Sequence, residues 1–241
     1  MISGFFEESI IKRAIDKKLI DIKIINLRDF AKDKYKTVDD KPYGGGAGMV
    51  LKPDVLFSAV KNTKKEKGKT KVIFTSPKGK VFDQKKAIEY SKLNHLILIA
   101  GHYEGIDQRA MDFVDEEISI GDFVLTGGEI AVSCIVDSVV RLIPKVLKKE
   151  QASKEESFFE IDIDEIEKII GFNKIIQNLK KRNIKKVKLL EYPQYTRPEV
   201  FMDKRVPNIL LSGDHKRIRE WRLKQAFEET LKKRPDLLQL V

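Results

Sequence analysis

Two stretches of this 241-residue sequence hold the residues best suited to ligand chemistry: Gly101-His-Tyr-Glu-Gly-Ile-Asp-Gln-Arg109 and Ser119-Ile-Gly-Asp-Phe-Val-Leu-Thr-Gly-Gly-Glu129. Each is rich in glycine and acid and follows an apolar run, Leu96–Ala100 in one case and Ile118–Ile120 in the other. Such a turn leaves backbone amides bare at the carboxyl end of a strand, where ligands bind to open α/β sheets. A single turn of this kind is equally explained by a need for positive φ. Two of them, expected on neighbouring strands and offering Tyr103, Glu104 and Asp122 to hydrogen-bond a nucleoside, predict a ligand site.

The elements that must hold these turns alternate in type as far as about residue 142. Phe5–Leu19 has a helical pattern, Ile22–Leu27 an extended one, and Asp54–Val60 reads as a helix capped by Asp54. Lys71–Thr75 reads as a strand ending at Ser76-Pro77-Lys78-Gly79, Asp83–Tyr90 as a helix, and Leu96–Ala100 as a buried strand. A strand near Phe113–Ile120 leads through Thr126-Gly-Gly-Glu129 into a helix reaching about Leu142. This alternation predicts an α/β domain with a mostly parallel sheet covered by helices. After Pro144 it breaks, and the polar run Lys148–Ser157 reads as a mobile linker. Asp164–Arg182 then carries Ile166, Ile169, Ile170, Ile176 and Leu179 at near-helical spacing and reads as a helix, although Gly171 weakens the pattern. The last helix is expected from about His215 to Arg234, and its N-terminus is suited either to phosphate or to capping by Ser212 or Asp214.

Composition narrows the partner. A net charge of +10 and three basic clusters, Lys61–Lys71, Lys180–Lys188 and Lys216–Lys224, suit a long polyanion better than a small acidic metabolite. No apolar run is long enough for a membrane span and no signal peptide opens the sequence, so a cytoplasmic protein without a membrane partner is expected. The single Cys134 excludes an intrachain disulfide and, lying in the apolar run Ile130–Val140, is expected in the core. His95, His102 and His215 lack metal-ligand spacing, and no metal site is expected.

Two apparent nucleotide motifs fail. Gly68-Lys69-Thr70 resembles the end of a phosphate loop, but Thr63 stands where its first glycine belongs and a strand follows rather than a helix. Pro42-Tyr-Gly-Gly-Gly-Ala-Gly48 lacks the dinucleotide spacing and follows a charged loop. Neither an NTPase nor a dehydrogenase is supported. The glycine run reads instead as a lid or a place of close backbone approach.

Seven segments, in order, resemble the bacterial tRNA (guanine-N1)-methyltransferases of the knotted SPOUT class: Thr37–Met49, Thr75–Gly79, Gly101–Arg109, Ser119–Glu129, Asp137–Pro144, Glu191–Val200 and Leu210–Arg222. The resemblance covers nearly the whole chain. It implies a deep trefoil knot in residues 1–147, a rare exception to the rule that chains do not thread. It also implies an interdomain linker with an insertion over residues 148–187 and a small, mainly helical tRNA-binding domain over residues 188–241. The implied reaction transfers a methyl group from S-adenosylmethionine to N1 of guanosine-37 of tRNA, 3′ to the anticodon, where another guanosine precedes it.

The resemblance also assigns residues. S-adenosylmethionine is expected, bent, in three loops: Phe74, Thr75, Ser76 and Pro77; Gly101, Tyr103, Glu104 and Gly105; and Ile120, Gly121, Asp122, Phe123, Val124, Leu125, Gly127 and Gly128. Guanine N1 carries a proton, so methylation calls for a base and for positive charge near O6. The family's linker acid and the arginine of its Asp-Ser-Val-x-Arg motif correspond to Glu156 and Arg141. Contacts to tRNA are expected from Asp40, Tyr43, Gly45, Arg197, Ser212, His215, Arg217 and Arg222. A homodimer is implied, with Glu156 serving the partner's cofactor. A dependence on Mg2+ has no signature in the sequence.

Three features depart from the family pattern. Glu155-Glu156-Ser157-Phe158 stands where an aspartate commonly precedes Ser-Phe, which leaves Glu155 as an alternative base. About thirty residues, Phe159–Lys188, intervene before the Leu-Leu-acid-x-Pro element. The family's opening strand has no counterpart before Met1-Ile-Ser-Gly-Phe, so Met1 is expected to be an internal methionine of a longer frame. Two other functions compete: a knotted RNA methyltransferase with a different base or ribose target, which should lack the Tyr195–Val200 and Leu210–Arg222 segments, and a non-catalytic RNA-binding module, which would need neither the three loops nor Arg141.

Overall fold

The computed structural model describes residues 2–64, 68–148 and 156–240, and it divides into two units, Met1–Lys148 and Lys149–Val241. Of the expected linker Lys148–Ser157, residues 149–155, Glu155 among them, lie outside the described residues.

The first unit is α/β. It opens with helices α1 (Ser3–Phe6) and α2 (Ser9–Asp16), where a single helix was expected, because the chain breaks at Ser9 with φ 55°. Ile22–Leu27, expected as a strand, pairs with no described residue and is extended chain running into a 3-10 turn at Leu27–Phe30. A two-residue antiparallel ladder joins β1 (Asp39–Asp40) to β2 (Val50–Leu51) across the glycine run. Helix α3 (Pro53–Thr63) follows, started by Pro53 rather than by an Asp54 side-chain cap.

The sheet has three parallel strands: β3 (Thr70–Val81) in the centre, β4 (His95–Ala100) on one side and β5 (Glu116–Ser119) on the other. The two glycine-rich turns therefore do not leave neighbouring strands, since β3 stands between them. Val72, Ile73 and Phe74 of β3 are buried, as a central strand covered on both faces requires. Edge strand β4 buries only Ile99 fully, so the expected buried strand is half-buried instead. The sheet is covered by α3, by α4 (Gln84–Tyr90), which Asp83 caps, and by α5 (Glu129–Val140). Val55, Leu56, Val60, Val72, Phe74 and Ile99 make one core cluster, and Ile73, Tyr90, Ile118, Ile135 and Val139 make another.

Cys134 is exposed, contrary to expectation. Helix α5 turns Ile135 and Val139 inward, and a residue one step before Ile135 points about 100° away from that face. The apolar content of the run had concealed its outward stripe.

In the second unit the insertion Phe159–Lys188, expected either to pack on the C-terminal domain or to add a tRNA phosphate contact, forms core. Strand β6 (Phe159–Asp162) pairs antiparallel with β7 (Lys186–Leu189) around helices α6 (Ile163–Ile170) and α7 (Lys174–Lys181). One helix was expected over Asp164–Arg182; Gly171, at φ 79°, ends α6, and Asn173 caps α7 by accepting from Ile175 N. Ile163, Ile166, Ile176 and Leu179 pack with Val187, Leu189, Leu223, Ala226 and Phe227 in one core. A short ladder, β8 (Val200–Phe201) with β9 (Lys204–Arg205), precedes α8 (Asn208–Leu211) and the long α9 (His215–Lys233). Among the described residues no helix is long and apolar enough to cross a membrane.

Candidate functional site

The loops after the three parallel strands meet at the carboxyl end of the sheet. The first leaves β3 after Thr75. The register against β5 shifts there, with Thr75 and Lys80 both opposite Ile118, so Ser76–Gly79 is an excursion from a strand that then resumes. Only glycine fits at its return, because a Cβ on Gly79 would lie 2.4 Å from Ile118 N.

The second loop, from Gly101, touches the first and the third. A Cβ on Gly101 would lie 2.9 Å from the Phe74 ring. Gly128 N donates to Gly101 O at 2.7 Å, and His102 and Gly127 form an antiparallel bridge. A Cβ on Gly128 would sit 2.6 Å from Gly101 N and 2.7 Å from Thr75 Oγ1, which itself donates to Ile99 O at 3.1 Å. Phe74, Thr75, Gly101, Gly127 and Gly128 thus form one closely packed surface. The residues themselves explain why the second and third loops are so rich in glycine.

The other expected cofactor residues sit around this junction. Tyr103 is exposed, with φ 55°, and Glu104 is exposed beside it. Ile120 and Gly121 are half-buried, and Ser119 Oγ both donates to Gly121 O at 2.9 Å and accepts from Gly121 N at 3.1 Å. Asp122, Phe123, Val124 and Leu125 are exposed, Val124 at 84%. Burial and contact therefore bring together the middle of each loop, and leave the 122–125 apex facing outward with three apolar side chains. The tight glycine surface and an outward apolar and acidic rim fit an adenosine-bearing ligand bound along the loop edges.

The glycine run Pro42–Gly48 is tied to the same place, which its failed motif gave no reason to expect. Glu104 N donates to Met49 O at 3.1 Å, Leu51 N to Gly105 O at 3.0 Å and Asp107 N to Leu51 O at 3.1 Å. A Cβ on Gly48 would fall 2.5 Å from Glu104 Oε1, a close approach of the kind expected for the run. The far end of the second loop is stiffened by Arg109, whose Nε and Nη2 donate to Asp107 at 2.9 and 2.8 Å. Those hydrogen bonds hold the Asp107 carboxyl at about 2.

Asp40, Tyr43 and Gly45, expected at tRNA, lie exposed on the β1–β2 connection, Tyr43 at 99%. Arg141 is half-buried at the C-terminal end of α5. Glu156 is half-buried at the start of the described part of the second unit, where its carbonyl accepts from Phe159 N at 3.1 Å. The two expected catalytic residues thus belong to different units.

In the second unit, Arg197, Ser212, His215 and Arg217 are exposed and Arg222 is half-buried. Asp214 caps α9 by accepting from Arg217 N at 3.1 Å, so a carboxylate already takes one of the amides that a phosphate would use. Ser212 Oγ donates to Ile209 O and accepts from Asp214 N. The Arg222 guanidinium lies 4.7 Å from the Tyr192 ring centroid, and its Nε is buried without a hydrogen-bond partner among the described residues. Arg217, Trp221 and Lys224 border a cavity of about 310 Å³ with Ile169, Ile209 and Glu220. Among the described residues no group of His, Cys, Asp and Glu could hold a metal ion.

The model of the tRNA (guanine-1)-methyltransferase TrmD family matches residues 1–240. The chain belongs to this family. A tRNA (guanine-N(1)-)-methyltransferase of Dictyoglomus turgidum is 51% identical over 239 residues, which is 99% of this chain and 86% of the relative. That of Caldanaerobacter subterraneus is 48% identical over 238 residues, with 99% and 87% covered, and that of Geobacillus kaustophilus 46% over 239 residues, also 99% and 87%.

One feature of the site escaped the sequence reading. His102 Nε2 lies 2.5 Å from Glu129 Oε1, which joins the second loop to the first turn of α5 by side chains. Two residues 27 positions apart carry no spacing signal, and only the return of the third loop toward Gly101 makes them neighbours.

Proposed function

We propose that this chain transfers the methyl group of S-adenosylmethionine to N1 of guanosine-37 in tRNA, 3′ to the anticodon, where a guanosine precedes it. The observation that carries the proposal is the packing of Thr75, Gly101 and Gly128 into a single surface, in a chain of this family. The cofactor supplies an electrophilic methyl group. Its residues would be those of the three loops, with Tyr103 and Asp122 at the exposed rim.

The chain's own work concerns a proton and a charge. Glu156 removes the proton from guanine N1, and Arg141 stabilises negative charge developing on O6. A carboxylate in water is a weak base toward this proton, so bound tRNA must exclude water around it. Because the two residues stand in different units, substrate binding has to organise both before reaction.

The proposal extends to architecture and assembly. The first unit is the methyltransferase domain and carries the family's trefoil knot; the second, including Phe159–Leu189, reads tRNA with Arg197, Ser212, His215, Arg217 and Arg222. The functional form is a homodimer working in the cytoplasm, with Glu156 directed to the partner's cofactor. In its favour, Ile2, Phe5, Ile130, Ser133, Cys134 and Asp137 line a depression of about 420 Å³, in which Phe5 and Ile130 are exposed.

The test is mass analysis of nucleosides from bulk tRNA incubated with the protein and isotope-labelled S-adenosylmethionine. Label in 1-methylguanosine next to the anticodon supports the proposal. Label in another base or in ribose would point to a different knotted methyltransferase, and no label to a binding module.

A further inference from the structure

We propose that His102 and Glu129 form a positioning pair that clamps the second ligand loop to the first turn of α5, beside the third loop, and thereby sets the affinity for S-adenosylmethionine. This rests on the methyltransferase reading above but concerns two residues to which that reading gives no role.

The argument starts from the backbone. The two loops touch through the Gly128 N–H to Gly101 carbonyl bond of 2.7 Å and the single bridge between His102 and Gly127. Loops rich in glycine lose more conformational freedom on ordering than others, and an isolated bridge opens readily. The His102–Glu129 contact, 2.5 Å between Nε2 and Oε1, fastens the same junction from outside the backbone. It is partly shielded, with side-chain exposures of 37% and 21%. Glu129 occupies the first turn of α5, a rigid element, so the pair anchors the Gly101 loop to a helix rather than to another loop. An acidic side chain is also favoured at that helix end.

Gly127 is shaped around the pair. A Cβ there would lie 2.5 Å from Glu129 Oε2 and 2.9 Å from His102 Cε1, so absence of a side chain at 127 lets the ring and carboxylate meet. Burial disfavours the Glu129 anion, but the hydrogen bond from His102, one from its own backbone amide and nearby positive charge together outweigh this and lower the carboxyl below its usual range. Because Tyr103 and Glu104 follow His102 directly, the clamp fixes where the exposed rim of the loop stands before any ligand arrives. Preorganisation of this kind shows as affinity.

The experiment compares wild type, His102→Ala, Glu129→Gln and His102→Gln. S-adenosylmethionine affinity is read by titration calorimetry, and kcat and KM for tRNA by methyl transfer. His102→Ala should weaken cofactor affinity about tenfold, as loss of a charge-assisted hydrogen bond does. Glu129→Gln should weaken it less, because the amide oxygen still accepts. His102→Gln, whose amide N–H reaches nearly where Nε2 stands, should bind close to wild type. KM for tRNA should stay within about twofold throughout, since the change acts on ground-state binding of the other substrate. If His102→Ala does not fold, the other two variants decide. Cofactor affinity unchanged in both His102→Ala and Glu129→Gln, or His102→Gln weakened tenfold, overturns the positioning role while leaving the activity intact. A wild-type protein that neither binds S-adenosylmethionine nor methylates tRNA overturns the functional reading, and the pair's role with it.

Discussion

Lys71 Nζ lies 3.0 Å from Glu116 Oε2, linking the start of β3 to the start of β5 at the end of the sheet opposite the ligand loops. Around this pair, Tyr90 donates to Glu116 at 2.8 Å, Lys71 reaches Glu89 at 2.6 Å, and Lys86 bonds both carboxylates. Helix α4 is thereby fastened to two strands, which gives the loops a rigid base.

The network makes stability pH-dependent. Burial raises the Glu116 carboxyl, but hydrogen bonds from Lys86, Tyr90 and Lys71 outweigh it and hold the group at about 2, against 4.5 unfolded. A lowered folded value contributes stability that is present above the unfolded value and lost as pH falls from about 4.5 toward 2. Urea unfolding from pH 7 to pH 2 should show this loss. Glu116→Gln should cost about 2 kcal/mol at pH 7 and flatten the acid side of the profile. An unchanged profile would assign the acid sensitivity to other carboxylates.

Glu156→Ala should leave S-adenosylmethionine binding nearly unchanged and lower single-turnover methyl transfer on the order of 100-fold or more, as loss of a general base does. Glu156→Asp, the family's usual residue, should retain substantial activity, and Glu155→Ala should be nearly silent. Full activity of Glu156→Ala with loss in Glu155→Ala would shift the assignment by one residue.

Gly128→Ala places a methyl group 2.6 Å from Gly101 N, which cannot yield without moving the second loop. The substitution should destabilise the first unit by about 1–3 kcal/mol. Cofactor affinity, read by calorimetry, should fall with it. Normal affinity would mean that the loops do not need their close contact to bind.

Shared sites predict complementation. Heterodimers of a Glu156→Ala subunit with a Gly128→Val subunit should recover one working site, containing an intact pocket and the other subunit's Glu156. Ile130→Glu, placing charge in the apolar depression on α5, should shift sedimentation toward monomer and lower activity. No recovery in heterodimers verified by native mass spectrometry would exclude the arrangement.

Ile176→Ala should destabilise the second unit by about 2–4 kcal/mol in urea unfolding, because its side chain is fully buried among Leu179, Leu189 and Phe227. Replacing residues 163–182 with a flexible linker should abolish cooperative unfolding of that unit. Survival of its fold would return this stretch to the status of an insertion.

Local patterns determined much by themselves. Alternating apolar strands and helices specified a parallel α/β unit, and Asp83 marked the start of one helix because capping acts over a few residues. The motifs Gly101–Arg109 and Ser119–Glu129 pointed to the loops after β4 and β5, since glycine-rich turns after apolar runs are a local property. Tertiary structure decided the rest. Strand order placed β3 between the two loop-bearing strands, and pairing of β6 with β7 turned an expected linker into core. The solvent-facing stripe of α5 put Cys134 outside, and the return of the third loop brought Glu129 to His102. Each of these depends on which surfaces the chain covers after residues distant in sequence have met, and neither local propensity nor spacing encodes such contacts.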